Sequence, residues 1–183
     1  MILPIYAYGS PVLRKKCSDI ELEYPNLKDL LDNMYETMYD SHGIGLAAPQ
    51  IGLPIRIFIV DGSPIEGIKP EGFKQTFINP VIIEEWGEEW KYEEGCLSIP
   101  TIHENVSRKP ELRIKYLDEN FKEHEKAFDG MVARIIQHEY DHIEGKLFVD
   151  KISPLKRNLI KGKLNNISLG RVEHSYKMRF PKK

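Results

Sequence analysis

Leu27, Leu30, Leu31, Met34 and Met38 recur at helical spacing, with Asp29, Asp32 and Glu36 on other faces. That pattern predicts a helix over about residues 26–41, with Asn26 as its N-cap. Gly43 and Gly45 are expected to end it and open the loop HGIGLAAPQIGLP. The period then changes. IRIFIV, residues 55–60, is an unbroken apolar run of strand length and reads as a buried strand. FKQTFINPVIIEEW reads as strand, turn, strand, with the break at Asn79-Pro80. ELRIKYLDENFKEHEKAFDG alternates, turns near Glu119-Asn120 and alternates back, which predicts a hairpin. Met131, Val132, Ile135 and Ile136 give a second helix, about residues 130–144, an apolar side. A third helical segment starts near Pro154. The order predicts an α+β fold in a single domain over residues 1–183. Antiparallel or mixed sheets should surround a central helix, with an N-terminal helix before them and a C-terminal helix after.

Composition narrows the function classes. A chain of 183 residues can bury a core without disulfides, and its two cysteines, Cys17 and Cys96, are too few for a disulfide framework. A formal net charge of -2 gives no global attraction to DNA or a membrane. No apolar run approaches the length of a spanning helix. MILPIYAYGSP lacks a basic leader region, so the chain is expected to work in a bacterial cytoplasm with free thiols.

The chemistry concentrates in QHEYDHIEG, where His138-Glu139-Tyr140-Asp141-His142 forms H-E-x-x-H. On a helix, His138 and His142 project from one face, one turn apart. Met131 and Ile135 lie along nearly the same face, so the imidazoles point inward. Glu139 beside them is the carboxylate a metal-assisted hydrolase requires. A catalytic site needs a third ligand and an open position. The longer peptidase pattern with a third histidine is absent, because position 148 is Phe148. The remaining histidines are His42, His103, His124 and His174, but Cys96 in EGCLSIP is the more attractive ligand, since a thiolate binds borderline metals well. Cys17 sits among Arg14, Lys15 and Lys16 and reads as incidental. GIGLAAPQ, Gly43–Gln50, has small residues that let another backbone approach, and an amide that can donate to an oxyanion. No phosphate-binding glycine loop is present.

Three of these stretches together resemble the peptide deformylases: Gly43-Ile44-Gly45-Leu46-Ala47-Ala48-Pro49-Gln50, Glu94-Gly95-Cys96-Leu97-Ser98 and His138-Glu139-Tyr140-Asp141-His142. They match that family's G-x-G-x-A-A-x-Q, E-G-C-L-S and H-E-x-D-H in order, and the resemblance spans about residues 1–150. It implies that Cys96, His138 and His142 hold one divalent metal with water as fourth ligand. The native ion would be iron(II), with zinc, nickel or cobalt as alternatives. It implies that Glu139 is general base and acid, and that Gln50 and the Leu97 N–H hold the oxyanion. Ile44, Gly45 and Gly95 would pair with the substrate backbone. Glu94 and Arg108 would form a salt bridge bracing the Cys96 strand. The reaction implied is hydrolysis of the formyl group from N-formyl-methionyl nascent peptides by a monomeric enzyme. From the residues themselves, Ile44, Ile135 and the His138 turn are candidates for the methionine pocket, and Asp141 for orienting the helix or a ligand by hydrogen bonds. His103 stands where several relatives carry arginine, near the peptide's exit path.

From Lys151 to Lys183 the chain carries ten Lys or Arg residues against one acidic residue, Glu173. Such a run is usually a solvated face or loose tail, and its functional reading is contact with ribosomal RNA. Two rival readings use the same residues. One is a zinc endopeptidase. The other is a closed structural metal site with Cys17 as fourth ligand.

Overall fold

The structure, a computed structural model, describes residues 1–181, so the last two residues of the expected domain and basic tail lie outside it. The chain opens with a short strand, β1 (Ile5–Tyr6), and reaches helix α1 (Leu27–Asp40). Leu31, Met34 and Met38 form the buried stripe of α1, as the spacing predicts. Its two ends differ from expectation. Asn26 occupies the N-cap position but adopts a left-handed conformation, φ 54°, and its side chain caps nothing. A side-chain cap needs extended backbone at that residue, so only the Asn26 carbonyl helps, accepting from the Leu30 N–H. At the far end the left-handed residue is His42, φ 56°, rather than a glycine. The Gly43 N–H then closes back onto the Met38 carbonyl.

Strand β2 (Gly45–Ala47) runs antiparallel to β3 (Ile57–Asp61), which is buried along its whole length. Strand β4 (Lys74–Trp86) follows and is one continuous strand rather than two. Asn79, φ 49°, makes a bulge where a turn was expected. Its side-chain amide bonds both the N–H (2.9 Å) and the carbonyl (2.8 Å) of Ile20, imitating a neighbouring strand. The ladder therefore survives the irregularity. Strands β5 (Trp90–Cys96) and β6 (Ile99–Arg108) form a hairpin joined by Leu97-Ser98. Strands β7 (Glu111–Leu117) and β8 (Glu123–Asp129) form the second, expected hairpin. Helix α2 (Gly130–Ile143) comes next, then α3 (Pro154–Ser168), then β9 (Met178–Arg179), which pairs in parallel with β1.

The main sheet has the order β2-β3-β4-β7-β8. Alternation along β3 divides the core. Ile57 and Ile59 pack with Leu31, Met34 and Met38 of α1. Phe58 and Val60 pack with Val132, Ile135 and Ile136 of α2, around the stacked rings of Phe58 and Phe77. A third cluster joins Ile99, Ile102 and Val106 of β6 to Ile160, Leu164 and Ile167 of α3. Helix α2 is thus enclosed by sheet, and its end is fixed where Arg56 donates to Glu144 (2.5 Å) and to the Pro80 carbonyl (2.6 Å). The fold is α+β, with α2 at its centre. Among the described residues the basic C-terminal region is not loose, since α3 contributes core residues and β9 is strand-paired.

Candidate metal centre

Burial of α2 turns the face bearing His138 and His142 inward, with the ring centroids 5.1 Å apart. The β5–β6 hairpin meets that face. A register shift between Glu94 and Cys96 places Gly95 in a bulge, and a bulge re-aims the side chain that follows. The Cys96 Sγ comes to 3.3 Å from His142 Nε2. One ligand atom each from Cys96, His138 and His142 lies within 4.8 Å of the others. Thiolate plus two imidazoles is a donor set for a divalent transition ion, so the residues fit the group that their spacing suggested. Among the described residues, this is the group of metal-ligating side chains so clustered. Cys17 is elsewhere: buried, free, with its thiol pushed up to about 11 by burial. A four-ligand closed site using Cys17 is therefore not what the chain builds.

Polar groups behind the cluster hold it rigid. His138 Nδ1 is 2.9 Å from Glu94 Oε1, which leaves its Nε2 edge for the cluster. Glu94 also accepts from Arg108 Nε (2.8 Å) and from Arg134 Nη1 (2.9 Å). Arg108 reaches on to Asp141 on α2 (2.8 Å). The hairpin and the helix are thus joined through buried charges. Arg134 was not anticipated, although it lies one turn before His138 on the same helix face. Burial opposes the charge on Glu94, yet the bonds from His138 and Arg108 hold its carboxyl well below the usual range. For His138, burial is outweighed by Cys96 and Glu94, and its pKa is raised. Burial, then the charges of His138 and Arg108, push His142 down.

Glu139 is 4% exposed, and its Oε2 is a buried oxygen without a partner. Burial pushes its carboxyl up to about 7, against the pull of His138. The backbone of β2 passes directly over it. A Cβ at Gly45 would stand 2.8 Å from the Glu139 carboxyl carbon, closer than real contacts allow. Gln50 is 2% exposed. Its Oε1 accepts from the Ala47 N–H, and its Nε2 lies 3.2 Å from Ser98 Oγ and 3.6 Å from Cys96 Sγ.

A cleft of about 530 Å³ opens over these groups. Ile44, Gly45, Gln50, Gly95, Leu97 and Ile135 all line it. Met131 and His103 line it too, and His103 packs against Gly95, where a Cβ would come within 2.7 Å. Glu173–Tyr176 complete the wall from the far end of the chain, with the Tyr176 hydroxyl donating to the Leu97 carbonyl (2.7 Å). No sequence pattern pointed to that segment.

A family model described as polypeptide deformylase matches residues 2–158. The chain belongs to that family. A peptide deformylase of Christiangramia forsetii is 55% identical over 190 residues, covering 99% of this chain and 97% of that protein. One of Cytophaga hutchinsonii is 55% identical over 181 residues, covering 99% and 98%. The crystal structure of a peptide deformylase from Legionella pneumophila superposes with a TM-score of 0.81 at 39% identity, covering 94% of this chain and 100% of that one. The chain is an enzyme of a metal-dependent hydrolase family.

Proposed function

We propose that this enzyme removes the N-terminal formyl group from formyl-methionine of newly made polypeptides, releasing formate. The observation that carries the reading is a buried, unpartnered carboxyl, Glu139, beside a Cys-His-His cluster in a member of this family. Cys96, His138 and His142 would hold one divalent ion, iron(II) natively, with zinc, nickel or cobalt able to replace it. Such an ion supplies Lewis acidity, which lowers the pKa of water at its open position and polarises a carbonyl. The remaining work falls to the chain. Glu139 takes the proton of the attacking water and delivers it to the leaving amine, a double role that suits a carboxyl whose pKa is pushed up to about 7. Gln50 Nε2 and the Leu97 N–H donate to the formyl oxygen as its charge develops. Ile44, Gly45 and Gly95 offer backbone to the peptide as an added strand. Ile44, Ile135 and Met131 wall an apolar slot for the methionine side chain.

The test is formate release from formyl-Met-Ala-Ser by metal-loaded enzyme, beside acetyl-Met-Ala-Ser and an unformylated longer peptide. Formate from the first substrate alone is expected. Cleavage of an internal peptide bond without formate would replace this reading with an endopeptidase. The working place of the enzyme is the bacterial cytoplasm, at the ribosome, with the basic face of α3 against ribosomal RNA. Because Ile160, Leu164 and Ile167 belong to the core, charge reversal is a cleaner test of that contact than truncation. Lys161→Glu combined with Lys163→Glu should weaken co-sedimentation with ribosomes and leave activity on the short peptide unchanged. Undiminished co-sedimentation would sink the contact.

A further inference from the structure

The turn Leu97-Ser98 is held from three directions. The Ser98 carbonyl accepts from the Tyr8 N–H (2.8 Å), beside β1. The Ser98 hydroxyl meets Gln50 Nε2. The Leu97 carbonyl accepts from the Tyr176 hydroxyl at 2.7 Å. Tyr176 is itself anchored. It lies two residues before β9, whose neighbourhood is bound to β1 by Ile5 N–H to the Lys177 carbonyl and Ala7 N–H to the Arg179 carbonyl, both 2.9 Å. Burial pushes the Tyr176 hydroxyl pKa up, so it keeps its proton and donates. The segment Glu173–Tyr176 also lines the cleft. It lies beyond the 2–158 stretch that the family model matches.

We propose that Tyr176 is a positioning residue for the reaction, holding Leu97 by its carbonyl so that the N–H of the same residue keeps its place before the developing oxyanion, and that Glu173–Tyr176 is a specificity wall for the peptide beyond its first residue. The proposal rests on the deformylase reading. A two-residue turn can rotate its peptide planes with little movement of the flanking strands. The Leu97 carbonyl and the Leu97 N–H lie on different peptide planes that meet at the Leu97 Cα, and with Cys96 paired to Ile99 an anchored carbonyl holds that Cα and limits the drift of the N–H. The restraint matters most in the transition state, where the donated hydrogen bond is strongest. The wall acts differently, since it touches the substrate chain in ground state and transition state alike. The two roles therefore separate in kcat and KM.

The experiment compares metal-loaded wild type, Tyr176→Phe and Tyr176→Ala on formyl-Met-Ala-Ser and on formyl-Met amide, with metal content and Tm measured on each. Tyr176→Phe should lower kcat roughly three- to tenfold on both substrates, the size of one hydrogen bond, with KM, metal content and Tm little changed. Hydrogen exchange of the peptide covering the Leu97-Ser98 turn should quicken in the same variant. Tyr176→Ala should in addition raise KM for the tripeptide and not for the amide. Wild-type kcat in Tyr176→Phe would overturn the positioning role, even if exchange quickened, because the bond would then be a brace only. A KM change in Tyr176→Ala equal on both substrates would overturn the wall. A metal-loaded wild type that releases no formate would overturn the deformylase reading and this proposal with it, a result distinct from an active wild type matched by its variants.

Discussion

At Gly45 the reason for a residue is steric. A methyl group there would enter the space of the Glu139 side chain, whose carboxyl carbon and Cγ would lie 2.8 and 2.9 Å from the new Cβ. Gly45→Ala should therefore displace Glu139, the proposed general base, and cost on the order of a hundredfold in rate, with the fold intact by circular dichroism. At Gln50 the proposed role is electrostatic. If Gln50 donates to the oxyanion as proposed, Gln50→Leu should lower kcat by about a hundred- to a thousandfold, with a smaller effect on KM. Steady-state formate kinetics read both. A Gln50→Leu enzyme with wild-type kcat would remove the residue from the reaction. The grouping of Cys96, His138 and His142 was legible at this scale because few side chains can bind a metal and the two histidines stand one helical turn apart. Arg134 and Tyr176 were not, because each acts through contacts with residues 40 or more positions away in sequence.

Two elements make the site: the β5–β6 hairpin and α2. Buried charge joins them, with Glu94 between Arg108, Arg134 and His138, and Arg108 continuing to Asp141. Such a network is destabilising when broken from one side, because the charges left behind stay buried. Glu94→Ala should cost about 3–5 kcal/mol, read by denaturant unfolding. By freeing the His138 ring it should also weaken metal binding about ten- to a hundredfold, read by competition with a chelator. A variant of wild-type stability would show that the charges rearrange. The helices were readable from periodicity, since one buried face imposes its spacing on the sequence. The irregularities were not. Asn79 signals a turn, yet its amide replaces a missing strand at Ile20 and keeps β4 continuous. His42 takes a left-handed conformation that the adjacent glycine seemed placed to supply. At Asn79 a contact distant in sequence outweighs the local preference.

For the whole molecule, protons and metal compete. Glu94 has a folded-state pKa below its unfolded value of 4.5. The unfolded chain therefore binds more protons as pH falls through that region. The stability Glu94 confers is full above about 4.5 and is lost as pH drops toward its depressed folded value. Glu139 runs the other way: its folded pKa of about 7 means that the metal-free protein loses stability as pH rises from 4.5 toward 7. Metal-free enzyme should thus show a Tm maximum in the mildly acidic range, measured by calorimetry at a series of pH values. His138 must give up its proton to become a ligand, and its pKa lies above 6.5. Metal affinity should accordingly begin to fall at a pH above 6.5 as solutions are acidified. The central claim remains that Glu139 moves the protons while the Cys-His-His cluster holds the ion. Its most direct measurement is formate release from formyl-Met-Ala-Ser by wild type and Glu139→Gln, both purified anaerobically and assayed for metal. The account predicts equal metal content and a rate in the variant lower by about a hundred- to ten-thousandfold. A variant that keeps both its metal and most of its rate would contradict it.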